Sequence, residues 1–379
     1  MLAGRVFAQE PSAEGEVSTR TAKDFYNMRD FRIAYQEYEK LVQQNPENVD
    51  YNYKAGECIL KGNFLLKGSA IPYLEKASQL EGAPEDVLLL LAKAYHLDYQ
   101  FEKSIEISKK IIENSQFPEL SKLAQRQVEM VQNALKFMEN PLDVRIENLG
   151  PLINSEYPDY YAFVHENEEY LIYSTRRDKG NGGYIMKDGY KSADIFISKE
   201  KRGEWSKPRS IGGVLTSIYD EEIVGMSPDG EVVFINLDTY EISGQIQMAE
   251  KKGKQFKKPV LLDGGISTDD AVEISACITK DRQTIYFASN RLGGFGGYDL
   301  YKSNLLPDGT WGLAINLGPY VNSEYDEFFP SISEDGLELI FSSEGHKSMG
   351  GFDLFISRFD LVKRQWDAPK NFGFPVNSV

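Results

Sequence analysis

With 379 residues the chain is long enough for two or three ordinary domains and a sizeable buried core. Hydrophobic residues at 41% and charged residues at 26% exclude a disordered or collagen-like chain, and a 12% aromatic share leans toward β structure. The net charge of −16 repels polyphosphate and argues against nucleic acid or anionic lipid as the main partner.

Residues 1–18 read as the remnant of an export signal or as a disordered leader. Val6-Phe7-Ala8 has the small-x-small pattern of a cleavage site, and a polar, Ser/Glu-rich stretch follows it. From Thr19 to Asn140 apolar and small residues recur at spacings of three and four, which predicts helices. Ala34-x-x-x-Tyr38-x-x-Leu41 aligns with Ala70-x-x-x-Leu74-x-x-Ala77 and Ser104-x-x-x-Ser108-x-x-Ile111, at offsets of 36 and 34 residues. The partner helices supply Ala22 and Phe25, Gly56 and Ile59, and Ala92 and Tyr95, with small residues where helices cross closely. Pro118 to Glu139 is predicted to be a capping helix. The longest apolar run, Val87 to Ala92, is far short of the roughly 20 residues a membrane-spanning helix needs.

After Pro141 the texture changes to short β-rich runs broken by Gly, Asn, Asp and Pro. This places a boundary at 141–146, a helical domain at 19–140 and a β domain at 147–379. Residues 1–140 carry a net charge of −4 and residues 141–379 one of −12, so the β half holds most of the acid. Gly150, Gly212, Gly264, Gly318 and Gly373 open equivalent segments spaced 62, 52, 54 and 55 residues apart. Three of them share one pattern, read as Asn148-Leu-Gly150, Asn316-Leu-Gly318 and Asn371-Phe-Gly373, each leading to Asn-Ser. Each unit then has a turn such as Ser227-Pro-Asp-Gly230, a buried strand such as Ile285-Tyr-Phe-Ala288, and a Gly-rich loop into Asp194-Ile-Phe, Asp299-Leu-Tyr or Asp353-Leu-Phe. It closes on Trp205, Phe256, Trp311 or Trp366. Four strands per unit is the composition of a propeller blade. The second unit lacks the Asp-Leu-Tyr segment between Leu237 and Met248, which leaves its third strand open.

Catalysis needs a nucleophile, a base and an orienting group. The sequence has no G-x-S-x-G elbow, no HExxH and no Walker A loop. His96, His165 and His346 fall in a helix, a turn and a Gly-rich loop without spaced partners, and Cys58 and Cys277 sit in apolar contexts as buried thiols do. No cofactor or metal is expected. Acids recur before each first strand, at Asp159, Asp220, Glu221, Asp270, Asp326 and Glu327. They form either a binding rim, for a cation or a basic segment, or a set of turn caps. Arg176, Arg177, Lys179, Lys187 and Lys191 make the first unit's loop basic, as a docking loop or as a solvated insertion. The first helices of the repeats place Lys23, Tyr26, Tyr53, Glu57, Leu60, Lys93, His96 and Leu97 along a groove suited to an extended peptide.

The helical periods resemble tetratricopeptide repeats, and the β units resemble the WD40-like PD40 repeats related to the TolB propeller. The expected fold is therefore α + β multidomain: an N-terminal α-solenoid of tetratricopeptide helices, then a WD40-like β-propeller with four recognisable blades and the start of a fifth. Together they resemble Bacteroidetes cell-envelope proteins of the OmpA family, nearest the PorE group of the type IX secretion system. That resemblance implies a non-catalytic scaffold in the periplasm, associated with the outer membrane and with secretion or gliding components. It implies contact with peptidoglycan only through an OmpA-like domain outside residues 1–379. The rival reading is a propeller attached to a hydrolase, or a carbohydrate- or ligand-binding sensor module whose active domain lies elsewhere.

Overall fold

A computed structural model of the chain describes residues 18–177, 183–186, 188–238, 244–253, 255–262, 264–268 and 270–379. The described residues form two compact units that divide between Gln127 and Val128.

Seven helices come first: α1 (Thr19–Asn27), α2 (Phe31–Gln44), α3 (Val49–Lys61), α4 (Ile71–Gln79), α5 (Val87–Leu97), α6 (Phe101–Asn114) and α7 (Pro118–Glu139). The last coincides with the predicted capping helix. Side chains of Asp30 and Asn48 accept from Ile33 N and Tyr51 N and so start α2 and α3. The small residues at the repeat spacing are fully buried: Ala22, Ala34, Ala70, Ala92 and Ser104 all have zero exposure. They let helices approach closely. A Cβ at Gly56 would lie 2.6 Å from the Leu74 side chain, and Ser104 Oγ donates to Ala92 O at 2.7 Å.

Four antiparallel sheets follow in a four-blade propeller arrangement. Blade one has β1 (Asp159–Val164), β2 (Tyr170–Thr175) and β3 (Asp194–Lys201), its outer edge shared by β4 (Glu204–Trp205) and β5 (Arg209–Ser210). Blade two has β6 (Asp220–Met226), β7 (Val232–Asp238), β8 (Ile246–Lys252), β9 (Gln255–Phe256) and β10 (Val260–Leu261). Blade three has β11 (Glu273–Ile278), β12 (Thr284–Ser289), β13 (Asp299–Asn304) and β14 (Ile315–Asn316). Blade four has β15 (Glu327–Ile332), β16 (Glu338–Ser343), β17 (Asp353–Asp360), β18 (Gln365–Trp366) and β19 (Lys370–Asn371). The third strand of blade two, open from its sequence, is β8.

The core lies between the sheets. Ile172 and Ile195 of blade one meet Val233, Ile235 and Ala249 of blade two. Phe234 and Ile246 of blade two meet Phe287, Tyr301 and Trp311 of blade three. Tyr286, Ala288 and Leu300 of blade three meet Leu339, Phe341, Phe355 and Trp366 of blade four. A strand covered on both faces has no polar side, which is why β2 and β12 read as near-continuous apolar runs.

Turns between first and second strands repeat one geometry. Ser227, Thr279 and Ser333 each donate a hydroxyl to Asp229, Asp281 and Asp335 at 2.6 Å. The residue after the Asp takes the left-handed region, as Gly230, Gly336 and also Arg282.

Candidate functional site

In blades three and four the sequence motif shared by the connecting segments holds the blade together. Asn322 bonds both backbone groups of Leu300, with N···Oδ1 2.7 Å and Nδ2···O 3.0 Å. Its Nδ2 also reaches Asn316 Oδ1, which accepts from Gly318 N at 2.8 Å. Asn316 Nδ2 in turn bonds Asp299 at 2.8 Å. The same set recurs with Asn377 on Leu354 and Asn371 on Asp353. Residues 371–377, expected to begin a fifth blade, are thus bonded onto β17 of blade four.

The Gly-rich loops are shaped by the aspartate that follows them. Asp299 accepts from Phe295 N at 2.6 Å and Gly296 N at 3.0 Å, and Asp353 accepts from Met349 N at 2.6 Å. A Cβ at Gly296 would fall 1.9 Å from Tyr325 O, in the acid-bearing loop of the next blade, so glycines and acids do share one rim. Asp326 of that loop accepts from Tyr298 N at 2.8 Å.

The rim acids divide. Asp159 accepts from Ser155 N, Ser155 Oγ and Arg177, and Glu327 from Ser323 N, Ser323 Oγ and Ser343 Oγ. Glu221 accepts from Ser217 Oγ, and Asp220 from Ala193 N. These acids cap the loops that lead into their own strands or tie one blade to the next. Asp270 alone among the six is exposed. Burial, with the charges of Asp194 and Asp220, pushes the Glu221 carboxyl up to about 7. Burial and the Asp299 charge do the same to Glu327, also to about 7. Burial opposes ionisation of Asp159, but bonds from Thr175, Ser155 and Arg177 hold it below the usual carboxylate range. Among the described residues no group of His, Cys, Asp and Glu is arranged to hold a metal ion.

A cation clip also repeats. Arg177 donates to Leu152 O, Ile153 O, Thr175 Oγ1 and Asp159, with its guanidinium 5.6 and 5.4 Å from the Tyr173 and Phe196 ring centres. Arg291 donates to Gly265 O, Ile266 O, Ser289 Oγ and Glu273, 5.1 and 5.0 Å from Phe287 and Tyr301. In blade four His346 takes the place, with Nε2 bonded to Val321 O at 2.9 Å and its ring against Phe341 and Phe355. Arg176, next to Arg177, bonds Asp188 and the Tyr160 hydroxyl. The two arginines expected in a docking loop are therefore committed to the fold. Lys191 is half-buried, and Lys179 and Lys187 lie outside the described residues. The clip role of Arg291 and His346 is not among the sequence expectations; the Ser/Thr-x-Arg spacing at Thr175-Arg176-Arg177 and Ser289-Asn290-Arg291 is the signal for the arginine pair.

The remaining reactive residues are structural as well. Cys58 and Cys277 are buried, and burial raises both thiols to about 12. His165 sits in the first turn of blade one, its Nε2 3.1 Å from Asp229 O of blade two. Trp311 and Trp366 are buried in inter-blade cores, and Trp205 is half-buried against Leu171, Tyr173 and Phe196 of its own blade.

In the helical unit the expected groove is only partly open. Glu57 is buried and receives Tyr26 Oη at 2.6 Å, Lys54 at 2.8 Å and Lys61 at 2.6 Å. Burial works against its charge, but these bonds hold it below the ordinary glutamate range. Tyr53 is buried with its hydroxyl on Asp86, and His96 is buried with Nδ1 2.6 Å from Gln127 Nε2. Those three do not line an open surface. Lys23 and Lys93 are exposed, and Leu60 and Leu97 half-buried. A shallow pocket of about 480 Å³ is lined by Glu85, Asp86, Phe117, Glu119 and Leu120. Its acids stand at the starts of α5 and α7, where the helix dipole favours negative charge.

No family model and no curated protein matches the chain. Solved structures with some likeness include hydrazine synthase from Kuenenia stuttgartiensis at 13% identity and TM-score 0.33, covering 61% of this chain and 53% of that one. Another is the tricorn protease at 14% identity and TM-score 0.34, covering 60% of this chain and 23% of that one. An endo-arabinase from Bacteroides thetaiotaomicron shows 13% identity and TM-score 0.34, covering 54% of this chain and 75% of that one. The chain spans 53% or less of the first three neighbours' own length. At such scores the likeness carries nothing about activity, and the propeller arrangement rests on the sheets themselves.

Proposed function

We propose that the chain is a non-catalytic scaffold that binds other envelope proteins, with the propeller as rigid support and the open part of the helical groove as the partner-facing surface. The observation that supports this reading is repetition. Acids, asparagines and arginines that could have done chemistry take equivalent structural partners in two or more blades, whereas a catalytic set is needed once. The resemblance to periplasmic, outer-membrane-associated components of the PorE group supplies the setting: a place in secretion or gliding machinery, with peptidoglycan reached through a separate domain.

The test is affinity capture from an envelope extract with wild type and with Lys93→Glu combined with Leu97→Glu. The scaffold reading expects one stoichiometric envelope partner, lost in the double variant, whose fold is checked by circular dichroism. Equal capture by both proteins would remove the groove from the account.

A further inference from the structure

The cation clip of blades one and three has a counterpart in blade two whose sequence brings no charge. Asp159 pairs with Thr175, Glu273 with Ser289 and Glu221 with Leu237, so the three acids stand at one position of the strand register. Two residues further on, the sequence has Arg177, Arg291 and Thr239, the last outside the described residues. Each guanidinium joins its acid to a carbonyl of the preceding connecting segment. Arg177 Nη2 is 2.7 Å from Ile153 O and 2.8 Å from Asp159, and Arg291 Nη2 is 2.5 Å from Ile266 O and 3.1 Å from Glu273. In blade two Leu215 follows Gly212 by three residues as Ile153 follows Gly150, and it is just as buried.

The walls of the clip change as well. Each guanidinium lies against a pair of rings on facing strands, Tyr173 and Phe196 in blade one and Phe287 and Tyr301 in blade three. In blade four Phe341 and Phe355 flank the His346 ring in the same way. The corresponding pair in blade two is Ile235 and Gln247. Glu221 is 2% exposed and Gln247 6%, yet Glu221 Oε2 and Gln247 Nε2 have no hydrogen-bond partner among the described residues. A buried carboxylate oxygen and a buried amide, both unpaired at one position, call for a ligand. Asp194 and Asp220 add their charges beside Glu221, which makes that ligand a cation.

We propose that this position in blade two binds an alkali-metal cation through the Glu221 carboxylate, the Gln247 amide oxygen and the Leu215 carbonyl. A flat guanidinium or imidazole stacks on ring faces, whereas a spherical ion is held by oxygens, and the exchange of two rings for an amide makes that change. Turning the amide about its last bond presents Oε1 in place of Nε2. The site replaces one fixed positive charge by one mobile charge, and its single carboxylate sets it apart from a metal centre built of several acids.

Urea unfolding of the whole chain at pH 8 tests this, in tetramethylammonium chloride and with KCl or NaCl replacing it at constant ionic strength. The proposal expects the midpoint to rise saturably with at least one alkali ion, because an ion that binds only the folded state stabilises it. The two salts compared show which ion the site prefers. Glu221→Gln should weaken the apparent affinity at least about tenfold, while Asp270→Ala, at the exposed rim acid, should respond like wild type. Should Glu221→Gln misfold, Gln247→Leu decides, since it keeps the acid and removes the amide ligand. Equal midpoints in all three salts, as water alone at the position would give, or an alkali response that the Glu221 or Gln247 variant retains in full, would overturn the proposal.

Discussion

Replacing Glu327 with Gln should raise the stability of the propeller relative to wild type as the pH goes from 4 to 8. Glu327 is fully buried at the head of β15, and burial together with the nearby Asp299 charge moves its carboxyl from 4.5 to about 7. The folded state thus holds this proton more tightly than the unfolded chain does. The stability it contributes is complete below pH 4.5 and is lost as the pH rises through 7. The gap corresponds to about 3 kcal/mol between the two ends of that window. Gln removes the titration and keeps an oxygen for the Ser323 and Ser343 hydroxyls, while its amide nitrogen cannot accept from Ser323 N, a loss that is the same at every pH. Asp159, which is held low, acts in the opposite sense, so the quantity to follow is the difference between variant and wild type at each pH. Urea unfolding read by Trp fluorescence reports this half of the chain, because all three Trp residues lie in it. A difference that stayed constant from pH 4 to 8 would refute the reasoning.

Other expectations follow from the same geometry. Glu221→Gln should show the same pH-dependent gain, since its carboxyl also rises to about 7; equal stability curves at all pH values would count against it. Arg291→Met should cost about 3 to 5 kcal/mol in the urea assay, because Glu273 is left buried without its cation. Arg291→Lys should recover little, since an ammonium cannot serve two carbonyls, a carboxylate and two ring faces together; full recovery would show that charge alone matters. Both thiols, raised to about 12 by burial, should resist maleimide in the native protein and react in denaturant; native labelling at either would contradict the packing.

Much of the fold was legible because small or unusual residues were needed at fixed places. Ala22, Gly56, Ala92 and Ser104 mark helix crossings that larger side chains would prevent, so their spacing reported the repeat directly. Asn316, Gly318 and Asn322 recur because each satisfies particular backbone groups, which made the blade unit visible from sequence. The rim was harder to read. Whether an acid caps a loop or faces solvent depends on its neighbours: Glu327 has Ser323 and Ser343, whereas Asp270 is exposed. The cation clip was obscured because blade four uses His346 where blades one and three use arginine. Groove membership failed for Tyr53, Glu57 and His96, since a polar side chain on a helix can turn inward when a partner such as Asp86, Lys61 or Gln127 awaits it.

The most direct test of the scaffold account is turnover. Purified protein should show no hydrolysis of peptide or glycan substrates above buffer, and Asp270→Ala, at the one exposed rim acid, should change nothing. Measurable turnover that this single substitution abolishes would contradict the account and make the rim an active site.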